Sequence, residues 1–260
     1  MVVSGIKGGL ANQIFQWACG KNLSLKYGIP FYLDVSFYAD QTGCTPRKFS
    51  LNKFPNLNFD LFNSDKSGFI EIRDSHVFMD LVIEENKNYF LDGYWGSPKY
   101  FKENEKEIKK NLSYNSDFIK KVENSRYKKI LENKGVSIHV RRTDYLQSNG
   151  YHPIQPISYY EKGLEIIGEY DSIYVFSDDI EWCKKNIKFN NTIFVEGFDD
   201  IEDLWMMGLC KNNIIANSTF SWWAAFLNEN DKKIIAPDNW FGENSGITNN
   251  DLYPLDWINI

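Results

Sequence analysis

Two adjacent arginines follow a short apolar run near the middle of the chain, and their placement suits the binding of a diphosphate. Residues 136–140 alternate apolar and polar side chains, so His139 and Arg141 share one face near the end of a predicted strand. Guanidinium groups carry paired N–H donors that match paired phosphate oxygens. The alternative is that Arg141 and Arg142 are held by carboxylates at a domain boundary, in a purely structural role.

A pair of aspartates follows the next predicted strand. Asp178 stands three residues before Glu181, a spacing typical of a cap at the start of the following helix. Asp178 and Asp179 could instead bind a divalent metal ion or accept hydrogen bonds from a ribose or a base. Taken alone, the aspartates favour the cap.

Ser218 and Thr219 lie where another predicted strand gives way to a helix. Small hydroxyl side chains are common helix caps, but the free N–H groups and positive dipole of a helix N-terminus also bind phosphate. In a parallel sheet, ligands bind beyond the carboxyl ends of the strands. Three polar segments converging on that edge therefore indicate a ligand rich in phosphate.

Alternating strands and helices must position these residues. In the second half of the chain, strands are predicted at 136–140, 172–176, 192–195, 213–216 and 232–236, and helices at 156–167, 180–186, 201–210 and 219–227. This order predicts a parallel sheet with helices on both faces.

The first half is less regular. Strands are predicted at 2–6, 29–35 and 89–95, and helices at 11–27 and 100–112. Residues 36–88 are rich in turns and show no clean period, so their structure stays open. The polar segment 132–135 predicts a boundary between a domain of residues 1–134 and a domain of residues 135–260.

A glycine pair separates the first predicted strand from the first helix. Residues 8–13 read Gly-Gly-Leu-Ala-Asn-Gln, which matches neither the dinucleotide-binding fingerprint nor the P-loop. Paired glycines permit a tight turn and a close approach of the backbone. Asn12 and Gln13 then either cap the helix or reach a ligand lying between the domains.

The bulk composition narrows the class of protein. The 260 residues carry a net charge of −6, which argues against nucleic acid as a partner. The sequence shows no secretory leader and no apolar run of the roughly 18 residues that a membrane helix needs, so we expect a cytoplasmic protein. Four cysteines lack metal-ligand spacing and are predicted to be free buried thiols: Cys19, Cys44, Cys183 and Cys210. His76 and His152 have no evident partners and are treated as ordinary residues.

The segment 99–134 is basic, with eleven Lys or Arg against six Asp or Glu. The plainer interpretation is a pair of solvated helices. The alternative is a basic face resting on an anionic membrane surface at the inner side of the membrane, where each basic residue adds about 1 kcal/mol of attraction.

The motifs together resemble glycosyltransferase family 11, the α-1,2-fucosyltransferases of bacteria and animals. Residues 139–144, His-Val-Arg-Arg-Thr-Asp, look like the motif shared by α-1,2-, α-1,6- and protein O-fucosyltransferases. Residues 8–16 are similar to the opening Gly-Gly-Leu-Gly-Asn-Gln-Met-Phe-Gln of the family, with departures at Ala11 and Ile14. Residues 176–179 resemble its second motif, and residues 217–223 its third.

The resemblance implies a GT-B fold, in which two Rossmann-like domains with parallel sheets face each other across a cleft. The C-terminal domain would bind GDP-β-L-fucose, and the N-terminal domain would present a galactose-containing acceptor. Transfer would invert the anomeric carbon and need no metal or other cofactor.

The resemblance also assigns roles by position. Arg141 would contact the β-phosphate, assisted by Ser218 and Thr219, with Arg142 beside it. His139 and Asp178 would approach the guanosine. As catalytic residues we expect Arg141, with Asn12 reaching the transferring region and Asp144 as the candidate base.

Three other functions remain open. One is a fucosyltransferase of another linkage or a GDP-mannose-dependent relative. A second is a nucleotide-sugar sensor or lectin, which would bind without turnover. The third is a metal phosphoesterase built on Asp178 and Asp179, although such a site needs further His or carboxylate ligands.

Overall fold

The computed structural model describes residues 1–43, 45–132, 134–148, 150–248 and 250–260. Cys44, predicted to be a free thiol, lies outside the described residues. The chain divides into two compact units. The first comprises Met1–Ser113 with Asn250–Pro254, and the second comprises Tyr114–Asn249 with Leu255–Ile260.

The first unit contains a five-stranded sheet in which the paired strands are parallel. Its strands are β1 (Val2–Gly5), β2 (Phe31–Asp34), β3 (Asp60–Leu61), β4 (Ile70–Arg73) and β5 (Tyr89–Asp92), in the order β3-β2-β1-β5-β4. Its helices are α1 (Leu10–Tyr27) and α2 (Glu105–Asn111).

Helix α1 packs closely against this sheet. A Cβ atom at Gly20 would lie 2.2 Å from the ring of Phe31 and 2.4 Å from the Ser4 hydroxyl, so only glycine permits this approach. The helix ends at Gly28, whose φ of 65° is left-handed and whose N–H donates to the Ser24 carbonyl. The glycine therefore ends the helix at the residue that the sequence pattern indicated.

Two parts of the first unit differ from expectation. The open region 36–88 contains the short strands β3 and β4, which are largely exposed. The four residues of β4 alternate apolar and polar side chains, but so short a run does not stand out in the sequence. The predicted helix at 100–112 was too long. Its first part consists of two 3₁₀ turns, Pro98–Tyr100 and Lys102–Asn104, and only α2 is α-helical.

The second unit contains a six-stranded sheet, also with parallel pairing. Its strands are β6 (Gly135–Val140), β7 (Ser172–Ser177), β8 (Thr192–Phe194), β9 (Asn212–Ile214), β10 (Ile234–Ala236) and β11 (Ile258–Asn259). Its helices are α3 (Ser116–Glu123), α4 (Ile157–Ile167), α5 (Ile180–Asn186), α6 (Asp200–Leu209) and α7 (Thr219–Leu227).

The strand order in this sheet is β11-β10-β9-β6-β7-β8. Within this sheet the chain enters at β6, continues outward through β7 to β8, and then crosses back to β9 on the other side of β6. This is the doubly wound order of dinucleotide-binding folds, with its switch point between β6 and β9. The two parallel sheets confirm the predicted α/β fold class.

The boundary between the units lies earlier than the predicted position at residue 134. The division falls after Ser113 because α3 packs on α6 of the second unit. The rings of Phe118 and Trp205 are 5.1 Å apart, and Lys121 pairs with Glu202 at 2.7 Å. The prediction relied on the polarity of segment 132–135. The division instead follows the burial of α3 against α6.

The basic segment 99–134 is divided between the two units, and six of its basic side chains pair with carboxylates. These are Lys99, Lys109, Lys120, Lys121, Arg126 and Lys134. The pairing favours the interpretation as solvated helices. None of the helices among the described residues is long and apolar enough to span a bilayer.

Candidate active site

The three polar segments of the second unit follow three neighbouring strands. β6 lies between β9 and β7, and Ile138 of β6 pairs with Ile214 on one side and with Val175 on the other. The carboxyl ends of these strands are therefore adjacent. The edge they form includes the switch point between β6 and β9, where doubly wound sheets bind ligands.

His139 connects β6 to helix α7. Its side chain is buried, its Nδ1 lies 2.9 Å from the Ser221 hydroxyl, and its carbonyl accepts from the Tyr160 hydroxyl at 3.1 Å. Burial, together with the positive charge of Arg141, lowers the pKa of His139 to about 3. The imidazole is therefore neutral near pH 7. That His139 contacts the guanosine stays a prediction.

Arg141 projects beyond β6 and keeps a side chain that is 22% exposed. Its Nη2 lies 2.8 Å from Asp144 Oδ2, and its Nη1 lies 3.3 Å from Asp178 Oδ2. Burial acts to lower the pKa of Arg141, but the charges of Asp178 and Asp144 outweigh it, so the pKa rises above its usual value. The hydrogen bond to Asp144 and the ion pair with Asp178 fix the direction of the guanidinium group.

Asp178 organises the loop that carries the arginines. Its Oδ1 accepts from the backbone N–H of Arg142 at 2.9 Å, and its Oδ2 accepts from the N–H of Thr143 at 3.1 Å. The Thr143 hydroxyl also donates to Oδ2, which is the oxygen that faces Arg141. One carboxylate thus binds three consecutive residues after β6.

The cap of α5 is Asp179 rather than Asp178, so the predicted cap was wrong by one residue. The Asp179 carboxylate accepts from the N–H of Trp182 at 3.3 Å. Asp179 also pairs with Arg142 Nε at 3.2 Å, and the Arg142 guanidinium lies 3.8 Å from the centroid of the Trp182 ring. Arg142 is therefore stacked and paired, as the structural interpretation expected, and Arg141 is the more exposed of the two.

The N-terminus of α7 lies on the β9 side of this edge. Ser218 is its N-cap and Thr219 its first residue, and the Ser218 hydroxyl accepts from the backbone N–H two residues later at 3.4 Å. The Tyr145 hydroxyl donates to the carbonyl of Asn217 at 2.8 Å. The Tyr145 ring centroid is also 5.5 Å from the guanidinium of Arg141. Tyr145 therefore connects the arginine with the start of the helix.

The glycine pair of the first unit, Gly8 and Gly9, forms the turn between β1 and α1. Gly8 has a φ of 79°, and a Cβ atom there would lie 3.0 Å from the Asn12 amide nitrogen. Helix α1 begins at Leu10, and its N-cap is Gly9, with no side-chain capping bond. Asn12 is therefore inside the first turn and packs over Gly8, which excludes the alternative that it is the N-cap of the helix. That Asn12 reaches the transferring region stays a prediction.

Gln13 has a structural task. Its amide nitrogen donates to the carbonyls of Gly8 at 3.0 Å and Lys48 at 2.8 Å, and its oxygen accepts from the N–H of Ser50 at 2.8 Å. The side chain is fully buried. Gln13 thus fastens residues 48–50 to the glycine turn and is not directed at a ligand.

The family model described as Glycosyl transferase family 11 matches residues 42–260. The chain belongs to glycosyltransferase family 11. It is therefore a glycosyltransferase, and the resemblance drawn from the motifs is confirmed.

Two curated relatives in Escherichia coli match the family 11 chain over nearly its whole length. One is named O-antigen biosynthesis glycosyltransferase WbnK, 29% identical, with 99% of each chain covered. The other is named alpha-1,2-colitosyltransferase, also 29% identical, with 100% of this chain and 99% of that protein covered.

Solved structures of the fucosyltransferase NodZ share the fold. NodZ alpha-1,6-fucosyltransferase soaked with GDP-fucose superposes with a TM-score of 0.52 at 12% identity, covering 87% of this chain and 91% of that one. NodZ from Bradyrhizobium gives a TM-score of 0.51 at 13% identity over 86% and 91%. At this identity the likeness shows the fold alone. It agrees with the predicted GT-B class.

Sequence reasoning missed two aromatic residues at the family 11 site. Tyr145 follows the arginine motif directly, so its place in the chain was a usable signal. His152, treated as ordinary, stacks on Tyr145 with ring centroids 4.7 Å apart and planes at 15°. Burial lowers the pKa of His152. No sequence pattern pointed to His152, because it reaches the site through a loop.

A metal centre finds no support in the ligand chemistry of the described residues. They contain no group of three or more His, Cys, Asp or Glu placed to hold a metal ion. Both oxygens of Asp178 accept hydrogen bonds from the arginine loop, and Asp179 caps a helix. These two carboxylates are thus engaged as partners of cationic and N–H groups.

Proposed function

We propose that the chain is an inverting glycosyltransferase that moves L-fucose from GDP-β-L-fucose to the 2-hydroxyl of a galactoside, forms an α-1,2 linkage and needs no metal ion. The observation that carries the proposal is the placement of Arg141, which is oriented by two carboxylates and linked through Tyr145 to the N-terminus of α7. Both groups suit the diphosphate of a nucleotide sugar.

The chemistry of the leaving group explains why such a pair suffices. As the bond between the anomeric carbon and the β-phosphate oxygen breaks, the sugar becomes oxocarbenium-like and negative charge grows on the phosphate. Arg141 and the hydroxyls of Ser218 and Thr219 would stabilise that charge more strongly than the charge of the intact donor. Preorganised donors of this kind lower the barrier because they need no rearrangement during the reaction.

The charges and exposure of the carboxylates around Arg141 indicate which of them a bound diphosphate would displace. Two guanidinium groups face three carboxylates, those of Asp144, Asp178 and Asp179. An arriving diphosphate therefore competes with a carboxylate for Arg141. Asp178 is 18% exposed and also binds the backbone, whereas Asp144 is 38% exposed, so Asp144 is the partner that yields.

The displaced carboxylate supports the proposed role of Asp144 as base. Once phosphate takes its place on Arg141, Asp144 would stand beside the reacting centre and could accept the proton of the acceptor hydroxyl. Asn12, which packs over the glycine turn of the other unit, is proposed to orient the acceptor or the glycosidic oxygen. His139 is proposed to lie next to the guanosine of the donor.

The two curated relatives support the acceptor class and raise one alternative donor. A relative named for O-antigen biosynthesis fits a galactose-containing surface glycan as acceptor. The relative named as an alpha-1,2-colitosyltransferase supports the α-1,2 linkage and makes GDP-colitose a second candidate donor. Colitose lacks the 3-hydroxyl of L-fucose, so the two donors differ by one polar group.

A donor and acceptor panel tests the proposal. The purified chain is incubated with GDP-fucose, GDP-colitose or GDP-mannose and a series of β-galactosides, and the products are analysed by NMR. We expect fucose in α linkage at the 2-position of galactose. Preference for GDP-colitose would change the proposed donor, and a product with a different linkage would change the proposed acceptor hydroxyl. Donor binding without any transfer would indicate a sensor or lectin instead of an enzyme.

A further inference from the structure

Tyr94 is exposed at the carboxyl edge of the first unit's sheet, and its backbone is fixed by hydrogen bonds to a neighbouring carboxylate. It follows β5, which pairs with the central strand β1. Its side chain belongs to a residue that is 42% exposed, whereas the adjacent Trp95 is completely buried. Single exposed aromatics are common and need no explanation by themselves. The contacts around Tyr94 give this one a function.

The first contact is made by Asp74. Its Oδ2 accepts from the N–H of Tyr94 at 3.1 Å and from the N–H of Trp95 at 3.0 Å. A Cβ atom at Gly93 would lie 2.1 Å from the Asp74 Cβ, so glycine is required for this approach. Two backbone bonds to one carboxylate therefore fix the direction in which the Tyr94 side chain leaves the chain.

The second feature is backbone strain at Trp95. Its φ is 55°, in the left-handed region that a bulky residue rarely adopts. The ring is anchored in the core, with its centroid 5.3 Å from that of Tyr100 in an edge-to-face arrangement. Strain of this kind persists where the surrounding structure imposes it, and such sites are often functional. Here its effect is to turn Trp95 inward and Tyr94 outward.

The third feature is the polar pair beside the ring. Lys7 Nζ lies 5.5 Å from the centroid of the Tyr94 ring and 2.7 Å from Asp92 Oδ1. The Asp92 side chain is 37% exposed. A flat ring next to an accessible carboxylate suits a pyranose, because one face of the sugar presents C–H groups and its rim presents hydroxyl donors.

We propose that Tyr94 is the platform on which a galactopyranose ring of the acceptor stacks, with Asp92 accepting hydrogen bonds from its hydroxyls and Lys7 holding both in place. The inference rests on the proposed function for the identity of the sugar. It goes further because it names the side chains that hold the sugar: the Tyr94 ring and the Asp92 carboxylate.

The test combines sugar binding with kinetics. Saturation-transfer NMR with methyl β-D-galactoside and GDP measures binding without turnover, and initial rates with varied β-galactoside give KM and kcat. We expect Tyr94→Ala to abolish the saturation transfer and to raise the acceptor KM roughly tenfold or more, with kcat changed by no more than roughly threefold. GDP affinity, measured by calorimetry, should stay within roughly twofold.

Two further variants make the result specific. Tyr94→Phe keeps the ring and should retain most of the binding. Tyr114, which is exposed to the same degree in the second unit, provides the matched control, and Tyr114→Ala should leave the acceptor KM unchanged.

Each outcome decides a separate question. A normal acceptor KM in folded Tyr94→Ala, or an equal effect of Tyr114→Ala, overturns the platform. Absence of galactoside binding by the unaltered protein overturns it as well. Galactoside binding that depends on Tyr94, in a protein that transfers no fucose, would retain the platform and reject the proposed function.

Discussion

The two sheets of this protein are both parallel, yet their carboxyl edges carry different sets of side chains. The edge of the second unit is ionic, with two arginines and three aspartates interlocked around Arg141 and the start of α7. The edge of the first unit carries glycine turns, the amide of Asn12, the exposed ring of Tyr94 and the ion pair of Lys7 with Asp92. In our proposals, the edge of the second unit binds a diphosphate and the edge of the first unit stacks a sugar ring.

The difference shows how one sheet architecture can carry different groups at the same edge. Parallel strands bring their ends to one edge whatever their sequence, so the residues after the strands decide what binds there. In the second unit those residues are charged and fix each other by ion pairs. In the first unit they are held by Asp74 and Gln13, which are themselves directed at the backbone.

The largest expected effect is at the ionic edge. Arg141→Lys keeps the positive charge but loses the planar pair of donors that faces Asp144 and Asp178. We expect kcat to fall by roughly 10²-fold or more, the scale for losing a positioned transition-state donor. Stopped assays with GDP-fucose measure it, and a folded variant with nearly normal turnover would show that Arg141 is only structural.

Asp144→Asn separates binding from chemistry at the same edge. The substitution removes the carboxylate that competes with phosphate for Arg141. We therefore expect GDP to bind as tightly as before or more tightly, while kcat falls by about 10²-fold through loss of the base. Calorimetry and initial rates give the two numbers. Parallel losses of GDP affinity and turnover would contradict the proposed base.

Asp178→Asn tests whether the loop after β6 must be held. Both oxygens accept backbone N–H groups, so either orientation of the new amide places an NH₂ group against a donor, at Arg142 or at Thr143. We expect kcat/KM to fall by at least roughly tenfold. Asp179→Asn is the comparison variant, since asparagine still caps α5 and the substitution loses the ion pair with Arg142 without touching the backbone N–H groups of the loop. Equal effects of the two substitutions would remove the special position of Asp178.

Asn12→Ala tests the other edge. Because Gly9 is the N-cap of α1, the substitution should not carry the stability cost of a lost cap. We expect transfer to fall by roughly tenfold while GDP affinity stays within a few-fold, since the nucleotide is assigned to the second unit. The melting temperature is the control. A variant that melts early but turns over normally at low temperature would place Asn12 outside the active site.

The sequence predicted the ionic edge better than the aromatic one, for physical reasons. Strands β6, β9 and β10 of the second unit are fully buried, so their apolar runs stand out, as β6 does with six buried residues. In the first unit β3 and β4 are short and largely exposed, so no run marks them. The position of Asp178 after a strand was visible, but its binding to Arg142 and Thr143 depends on the register between strands. Trp95 and Tyr94 could not be told apart, because a left-handed φ at Trp95 decides which ring faces outward.

The smallest expected effect is that of removing metal ions. If removal has no effect, the two edges differ in how they meet charge, because the second unit's edge then neutralises the phosphate without a cation. At the ionic edge, positive charge already comes from Arg141 and the dipole of α7, and Asp178 and Asp179 are bound to N–H and guanidinium groups. We expect transfer rates in excess EDTA to equal those in buffer within roughly twofold, because no charge at the phosphate is left for a cation to supply. Added Mn²⁺ or Mg²⁺ should then have no effect beyond that of ionic strength, which KCl at matched concentration reproduces. Activity lost in EDTA and restored by Mn²⁺ but not by KCl would make the aspartates metal ligands and would end the assignment of the phosphate charge to Arg141.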